Sequence, residues 1–414
     1  MKLLYTISIR FYSFLVRVFS LWNPKAKQWK VGRENWLTRL ENGTKSMEKV
    51  HWFHCASLGE FEQARPLIEK IKSNSPEVSI LLTFFSPSGY EIRKEYPFAD
   101  YVCYLPIDTQ KNAKKFLSSV KIEKAFFVKY EVWPNFFNEI KKSQIPFYLI
   151  SATFRPSQIY FKKTGNWFLN LLKLPTQIFV QDEASFELLK QHNIESVVAG
   201  DTRYDKVLEN AKKAKSIPLV EKFTSSKFTL LAGSSWEKEE KFISEFLKSN
   251  PDSYREKIKV IFAPHDISPS HVKGIFTELG EEIKAIKFSE ITKDKDLENW
   301  DVLVIDNIGM LSNLYQYASV AFVGGGFTNA LHNILEPATF GIPVLYGNNN
   351  LKFPEAKEMV KFGGGIEVEN QMDFNLQLAQ LIADKKVLEM KSKLNKSFVE
   401  ERIGATELIF HQTC

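Results

Sequence analysis

The sequence predicts an α/β protein built from two doubly wound domains in tandem. Three observations carry this. The chain has 414 residues, too many for one ordinary domain. Short β-rich apolar runs alternate with amphipathic helical stretches from about residue 48 onward, the pattern of a parallel sheet covered on both faces. The alternation lapses over residues 206–227, which are rich in Lys, Ala and Ser, and then restarts.

In the first half the strand candidates lie at 50–55, 79–85, 101–105, 125–128, 146–150, 177–180 and 196–199, with helices such as 61–73, 133–142 and 184–192 between them. In the second half they lie at 228–232, 259–263, 283–288, 301–305, 319–323 and 342–346, with helices at 237–249, 310–318 and 355–362 and a helical stretch from about 373 to the end. The expected division is an N-terminal helix over 1–33, a first Rossmann-like domain over 34–205, a linker over 206–227 and a second Rossmann-like domain over 228–414.

Composition narrows the class. A content of 44% hydrophobic and 25% charged residues is that of a globular protein with a real core. Cys55, Cys103 and Cys414 are far apart and form no CxxC pair, which argues against a disulfide framework or a structural zinc site. The formal charge of +6 is confined to the N-terminus. Lys2, Arg10, Arg17, Lys25, Lys27, Lys30 and Arg33 precede the first acid, Glu34, so the rest of the chain carries −1, the difference between +6 and those seven cations. The body of the protein therefore has no excess positive field for nucleic acid.

Residues 3–22 are mostly apolar, but Arg10 and Arg17 interrupt them. An arginine near a bilayer centre costs about 2.5–3.5 kcal/mol on insertion scales, so a spanning helix is disfavoured. Neither an uninterrupted apolar stretch nor a small-residue cleavage site marks a signal peptide. Thr6, Arg10, Ser13, Arg17 and Ser20 recur at helical spacing as one polar stripe. The expectation is a helix lying in a membrane interface, with Arg10 and Arg17 towards headgroups and Trp22 and the following lysines near anionic lipid. The alternative is packing on the protein's own core or on a partner.

Ligands of open α/β sheets bind beyond the carboxyl ends of the strands. The residues hardest to explain as scaffold fall there: 54–60, 129–133, 151–155 and 200–205 in the first half, and 233–240, His265, 324–326 and 347–350 in the second. Two such sheets suggest domains facing one cleft. Ser57-Leu58-Gly59-Glu60 reads as a capping box, in which the glutamate reaches back to the serine amide; Glu60 in that place could equally take a proton from an acceptor hydroxyl. Gly324, Gly325 and Gly326, followed by Asn329, His332, Asn333 and Glu336, suit a phosphate at a following helix N-terminus and a carboxylate on a ribose diol, or else a plain tight turn. Ser234 with Glu237 makes a second capping box, and Trp236 reads as core. No P-loop, GxGxxG, HExxH or GxSxG pattern is present. Asp294-Lys295-Asp296 reads as a solvated loop rather than a metal site.

In order along the chain, His54-Cys55-Ala56-Ser57-Leu58-Gly59-Glu60, Glu131-Val132-Trp133-Pro134-Asn135, residues 151–155, Gly200-Asp201-Thr202-Arg203-Tyr204-Asp205, the Gly-Ser-Ser…Glu-Glu pattern of 233–240, His265, and residues 324–336 with Pro337 and Gly341 are similar to the Kdo transferase family. These are the 3-deoxy-D-manno-octulosonic acid (Kdo) transferases of lipopolysaccharide inner-core assembly. The resemblance implies a GT-B architecture and a metal-independent, cofactor-free, inverting transfer of Kdo from CMP-Kdo to the lipid A precursor at the cytoplasmic face of the inner membrane. It implies Glu60 as general base and Glu131 as a second carboxylate. It places Gly233, Ser234, Ser235, His265, Gly324, Gly325, Gly326, Asn333 and Glu336 at the CMP site, with Arg155 and Arg203 as candidates for the Kdo carboxylate or the acceptor phosphates.

Three departures touch the anion contacts. Ala263-Pro264-His265 lacks an arginine usual before the histidine, Ala330-Leu331 replaces a Gly-Gly pair in a loop one residue shorter, and Arg203 stands where a lysine is usual. Two other readings fit the same architecture: a GT-B enzyme using a nucleoside-diphosphate sugar, which would prefer UDP or GDP to CMP, and a membrane-docked binding protein without catalysis.

Overall fold

The computed structural model describes residues 1–225, 227–249, 257–292 and 297–414. It divides into two compact units, Met1–Asp205 with Ile403–Cys414, and Lys206–Arg402. The triplet Asp294-Lys295-Asp296 lies outside the described residues.

The first unit is organised on strands β1 (Val50–Cys55), β2 (Ser79–Phe84), β3 (Tyr101–Tyr104), β4 (Ile122–Val128), β5 (Phe147–Ala152), β6 (Gln177–Val180) and β7 (Val197–Val198). Their order is β3-β2-β1-β4-β5-β6-β7, and every neighbouring pair is parallel. Successive side chains of a strand point to opposite faces, and the core divides accordingly. Trp52, Leu81, Phe127 and Leu149 pack on one face, and Phe53, Leu82, Phe126 and Ile150 on the other. Both faces are dry because helices cover both, so the strands read as continuous apolar runs.

The second unit repeats the design with β8 (Phe228–Ser235), β9 (Ile258–Pro264), β10 (Ala285–Lys287), β11 (Val302–Val304), β12 (Val320–Val323), β13 (Val344–Gly347) and β14 (Gly365–Val368). The order is β10-β11-β9-β8-β12-β13-β14, again all parallel. In each sheet the winding reverses at a central strand pair, β1/β4 in the first unit and β8/β12 in the second. That reversal opens a crevice at the carboxyl ends of the pair.

The structure departs from the sequence expectations in several places. Residues expected as a linker form the helices Thr202–Lys212 and Pro218–Thr224, whose apolar Val220 and Phe223 are buried in the second unit's core. Strand β14 was not expected. The last segment does not close the second unit: the helix Ala405–Thr413 buries Ile409 against the first unit's sheet. Asp205 holds it there, accepting from the Gly404 amide at 2.6 Å and the Thr406 amide at 2.7 Å. The expected helix over 310–318 is shorter, Leu311–Leu314 running into a 3₁₀ turn.

The N-terminal helix Lys2–Phe19 forms, but its polar stripe is divided between an inward and an outward side. Ser13 and Ser20 are buried against the first unit, while Leu3, Ile7, Phe11 and Phe14 are each more than half exposed. Arg10 and Arg17 are exposed beside that apolar row. Helical geometry explains the outcome: the apolar arc is wider than the small-residue stripe, and the small serines allow close approach to the body. Arg33 is internal. Its guanidinium is sandwiched by Trp29, Phe85 and Tyr104 and donates to the Leu105 and Phe85 carbonyls, so its charge serves the interior rather than a lipid surface. No helix among the described residues is long and apolar enough to cross a membrane.

Candidate functional site

In the first unit the β1/β4 crevice gathers three ionisable side chains. Glu60 lies in the first turn of the helix Leu58–Asn74, directly after β1. The expected capping box is not the bond that forms: Ser57, the N-cap, makes no side-chain cap, and its hydroxyl instead donates to the Glu60 carboxylate. Lys129, at the end of β4, brings its ammonium 3.5 Å from the other carboxylate oxygen of Glu60. Lys129 adopts a left-handed backbone, φ +59°, one of few non-glycine residues to do so. Glu131, two residues on, is lifted to about 7 by burial and by the nearby Glu60 charge, against the pull of Lys129. The crevice thus holds one cation and two carboxylates, of which Glu131 is the one whose proton affinity is raised.

The surrounding residues hold these groups in place. His54 is fully buried with Nδ1 2.9 Å from the Thr83 hydroxyl, and burial with the Arg33 charge lowers it to about 3, so it stays neutral. The helix Pro134–Lys142 begins just after Glu131, and Asp108 caps it, accepting from the Asn135 and Phe136 amides at 3.1 and 3.0 Å. Ser151, at φ +48°, lies at the end of β5 within 3.2 Å of the Thr202 hydroxyl. Arg155 is exposed on the following loop. The Arg203 guanidinium is committed to Asp201, with Nε and Nη2 at 2.8 and 2.7 Å from one carboxylate oxygen. To bind an anion it would have to exchange that partner.

In the second unit the β8/β12 crevice is made of backbone. A Cβ on Gly324 would lie 2.0 Å from the Ser234 carbonyl oxygen, one on Gly326 2.4 Å from the Gly347 nitrogen, and one on Gly233 2.3 Å from the Tyr315 hydroxyl. Ser234 is left-handed, φ +49°. The glycines therefore let three strand ends close on one another. The glycine run does not lead straight into a helix. A looped segment that includes left-handed Asn329 intervenes, and only the short helix Leu335–Thr339 follows, so the expected helix-end phosphate cradle is absent in that form. Asn333 is exposed, joins its amide to Glu336 at 3.1 Å and accepts from the Leu335 amide.

The Ser234–Glu237 capping box is likewise replaced. Glu239 accepts from the Trp236 amide at 3.2 Å and from the Gly325 amide at 3.0 Å, tying the helix Glu237–Ser249 to the glycine loop. Glu240 accepts from the Ser235 hydroxyl at 2.8 Å and pairs with His271 at 3.1 Å. Burial raises both carboxyls. Trp236 is not core: it is 37% exposed and stacks on exposed His265 at 4.5 Å, which in turn lies 4.6 Å from His332. Burial and the His265 ring lower His332 to about 4.

Sequence reasoning placed Lys129 and Glu239 in the strand-end segments 129–133 and 233–240 without giving either a role, and it did not mark Tyr315. Glu239 carried a signal, three residues after Trp236 in the position from which a glutamate reaches back to a cap. Tyr315 carried none, because its contact with Gly233 is purely tertiary. Among the described residues no group of three or more His, Cys, Asp or Glu side chains is gathered to hold a metal ion.

Two doubly wound parallel-sheet units, each with its unusual residues at the switch of winding, define a GT-B-type protein, and solved structures agree. The chain superposes on UDP-GlcNAc 2-epimerase from Neisseria meningitidis with a TM-score of 0.59 at 17% identity, covering 88% of this chain and 99% of that one. MurG from Acinetobacter baumannii gives 0.55 at 11%, covering 88% and 99%. At these identities the likeness is one of fold.

Sequence relatives go further. Residues 34–206 match the family model described as 3-deoxy-D-manno-octulosonic-acid transferase (kdotransferase). The 3-deoxy-D-manno-octulosonic acid transferase of Aquifex aeolicus is 30% identical over 352 residues, 84% of this chain and 90% of that protein. That of Haemophilus influenzae is 26% identical over 365 residues, 85% and 81%. The chain belongs to the Kdo transferase family of glycosyltransferases.

Proposed function

We propose that the protein is an inverting glycosyltransferase that moves Kdo from CMP-Kdo to the lipid A precursor, with Glu60 as general base and no metal. The observation that carries this is the Glu60 environment. Its carboxylate is not spent on capping backbone amides, as the capping box required, but is hydrogen-bonded by one hydroxyl and paired with one lysine. A base so held keeps lone pairs for an incoming sugar hydroxyl.

In the proposed reaction Glu60 takes the hydroxyl proton as the acceptor oxygen bonds to the anomeric carbon of Kdo. The bond from that carbon to the CMP phosphate oxygen breaks, and CMP leaves from the opposite face. Glu131, protonated part of the time near neutral pH, can donate a hydrogen bond to an anionic substrate group that an ionised carboxylate would repel. In the second unit, the strand-end glycines allow close backbone approach to CMP, and Ser234, Ser235, His265, Asn333 and Glu336 are its proposed ligands, Glu336 on the ribose. Arg155 and Arg203 remain the proposed contacts for the Kdo carboxylate or acceptor phosphates.

We further infer a peripheral position on the cytoplasmic side of the inner membrane. The exposed apolar row of Lys2–Phe19, exposed Trp22, and flanking cations with no acid before Glu34 support it.

The test is transfer from CMP-Kdo to the tetra-acyl lipid A precursor in detergent with EDTA, following CMP release and product mass. Wild type is expected to transfer, and folded Glu60→Gln to release no CMP above background. Tighter binding of UDP or GDP than CMP, with no transfer, would replace this reading with that of a GT-B enzyme using another donor.

A further inference from the structure

We propose that Tyr5 is a positioning residue that couples docking of the N-terminal helix on an anionic lipid surface to the loop bearing Glu131. This rests on the reading of the protein as a lipid-acceptor glycosyltransferase.

The helix Lys2–Phe19 has two faces with different duties. Its outward face exposes Leu3, Ile7, Phe11 and Phe14, an apolar row that water alone does not favour, flanked by Lys2, Arg10 and Arg17. Cations beside an apolar row match a surface of acyl chains and anionic headgroups, the occupant assigned here. The inward face carries Tyr5. Its hydroxyl donates to Asp108 Oδ2 at 2.7 Å, and the ring packs 5.8 Å from Trp167 and 6.4 Å from Phe168.

Asp108 is the hub. Fully buried, the same carboxylate accepts from the Asn135 and Phe136 amides, and its backbone carbonyl accepts from the Asn135 side chain at 2.7 Å. These bonds fix the start of the helix Pro134–Lys142, and Glu131 lies only a few residues before it. A second path runs from Tyr5 through Phe168 to Tyr160, 6.2 Å away, whose hydroxyl donates to the Tyr130 carbonyl at 3.0 Å. Tyr5 and Tyr160 both lie close enough to Glu131 for its charge to oppose their ionisation. Glu131 is thus braced from both flanks by groups that meet on one residue of the lipid-docking helix. A terminal helix tethered mainly through one face frays readily; seating its outward row in lipid would restrain the helix and so hold Tyr5 on Asp108 and the loop in one geometry.

The experiment uses the full chain in mixed micelles of non-ionic detergent with increasing phosphatidylglycerol, reading kcat and KM for transfer, and co-sedimentation with phosphatidylglycerol vesicles. Tyr5→Phe keeps the ring and removes one hydroxyl. Wild type is expected to gain several-fold in kcat as phosphatidylglycerol rises, and Tyr5→Phe to bind vesicles as wild type does yet lose most of that gain. A variant that gains as much as wild type overturns the coupling and leaves the functional reading intact. So does a wild type indifferent to phosphatidylglycerol, or an apolar row found covered by a second copy of the chain in solution. A wild type that transfers no Kdo under any condition removes the functional reading itself, and the coupling with it.

Discussion

Lys129 reaches Glu60 from a backbone conformation that costs energy. The ammonium lies 3.5 Å from the carboxylate, and the residue that carries it is left-handed at φ +59°. For a non-glycine residue that geometry costs roughly 1 kcal/mol, and such costs concentrate where a side chain must be aimed. Two substitutions separate the aim from the cost. Lys129→Gly should unfold at a higher urea concentration, by up to ~1 kcal/mol, while transferring Kdo much more slowly. Lys129→Met should keep the strain, lose the rate, and raise the Glu131 carboxyl still further, because the cation that opposed its protonation is gone. A Lys129→Gly protein with undiminished activity would show that the cation has no part in the reaction.

Glu131 makes stability depend on pH with a definite sign. Its carboxyl is lifted from 4.5 to about 7, so the folded state binds the proton more tightly than the unfolded chain. The resulting stabilisation is complete below about 4.5 and is lost as pH rises through about 7. Glu131→Gln removes that slope. Compared with wild type, the variant should gain on the order of 3 kcal/mol between pH 4 and pH 8, since each unit is worth about 1.4 kcal/mol. Denaturant unfolding across that range reads it directly, and parallel curves would disprove the assignment.

At Gly325 the backbone leaves no room for a side chain. The residue sits at φ +84°, and a Cβ would lie 2.2 Å from the Ala330 carbonyl oxygen. Its amide also donates to Glu239. Gly325→Ala should therefore destabilise the second unit by about 2 kcal/mol or more and weaken CMP binding at least tenfold. Calorimetric titration with CMP checks the second part. An alanine variant that binds CMP normally would free the glycine loop of any role in nucleotide recognition.

The outward row of the N-terminal helix offers a direct test of lipid association. Burying one large apolar side chain is worth about 1.5–3 kcal/mol, or roughly ten- to a hundredfold in partitioning. Phe11→Glu and Phe14→Glu should each reduce co-sedimentation with phosphatidylglycerol vesicles by at least that factor, leaving the melting temperature nearly unchanged, because both side chains are already exposed. Unchanged vesicle binding in the double variant would exclude this face as the docking surface.

What the sequence revealed follows from how local each signal is. Strands β1 and β6 match their expected bounds at 50–55 and 177–180, because dense apolar runs between polar breaks have one natural reading. Strand β14 escaped because Gly365-Ile366-Glu367-Val368 follows two further glycines and is too short to show a period. Residues 206–227 looked like a linker because lysines dominate the composition, yet Val220 and Phe223 alone suffice to anchor a helix. In the candidate site, residue types and their strand-end positions were legible, but bonding was not. Ser57 and Glu60 stand at capping-box spacing and still bond hydroxyl to carboxylate. Arg203 was chosen as a substrate cation, and its partner Asp201 is two positions away in the same motif. Helical spacing groups Thr6, Arg10, Ser13, Arg17 and Ser20, but what packs on the helix separates them: Ser13 and Ser20 are buried while Arg10 and Arg17 are exposed.

The clasp between Asp205 and residues 404 and 406 makes the second unit an insertion within the first. A ribosome therefore delivers the first sheet with one of its covering helices missing. The place that Ile409 will fill in that core stays open while the entire second unit is made. Transiently exposed apolar surface of that kind is prone to aggregate. A chain that stops before residue 405 leaves this apolar seat uncovered.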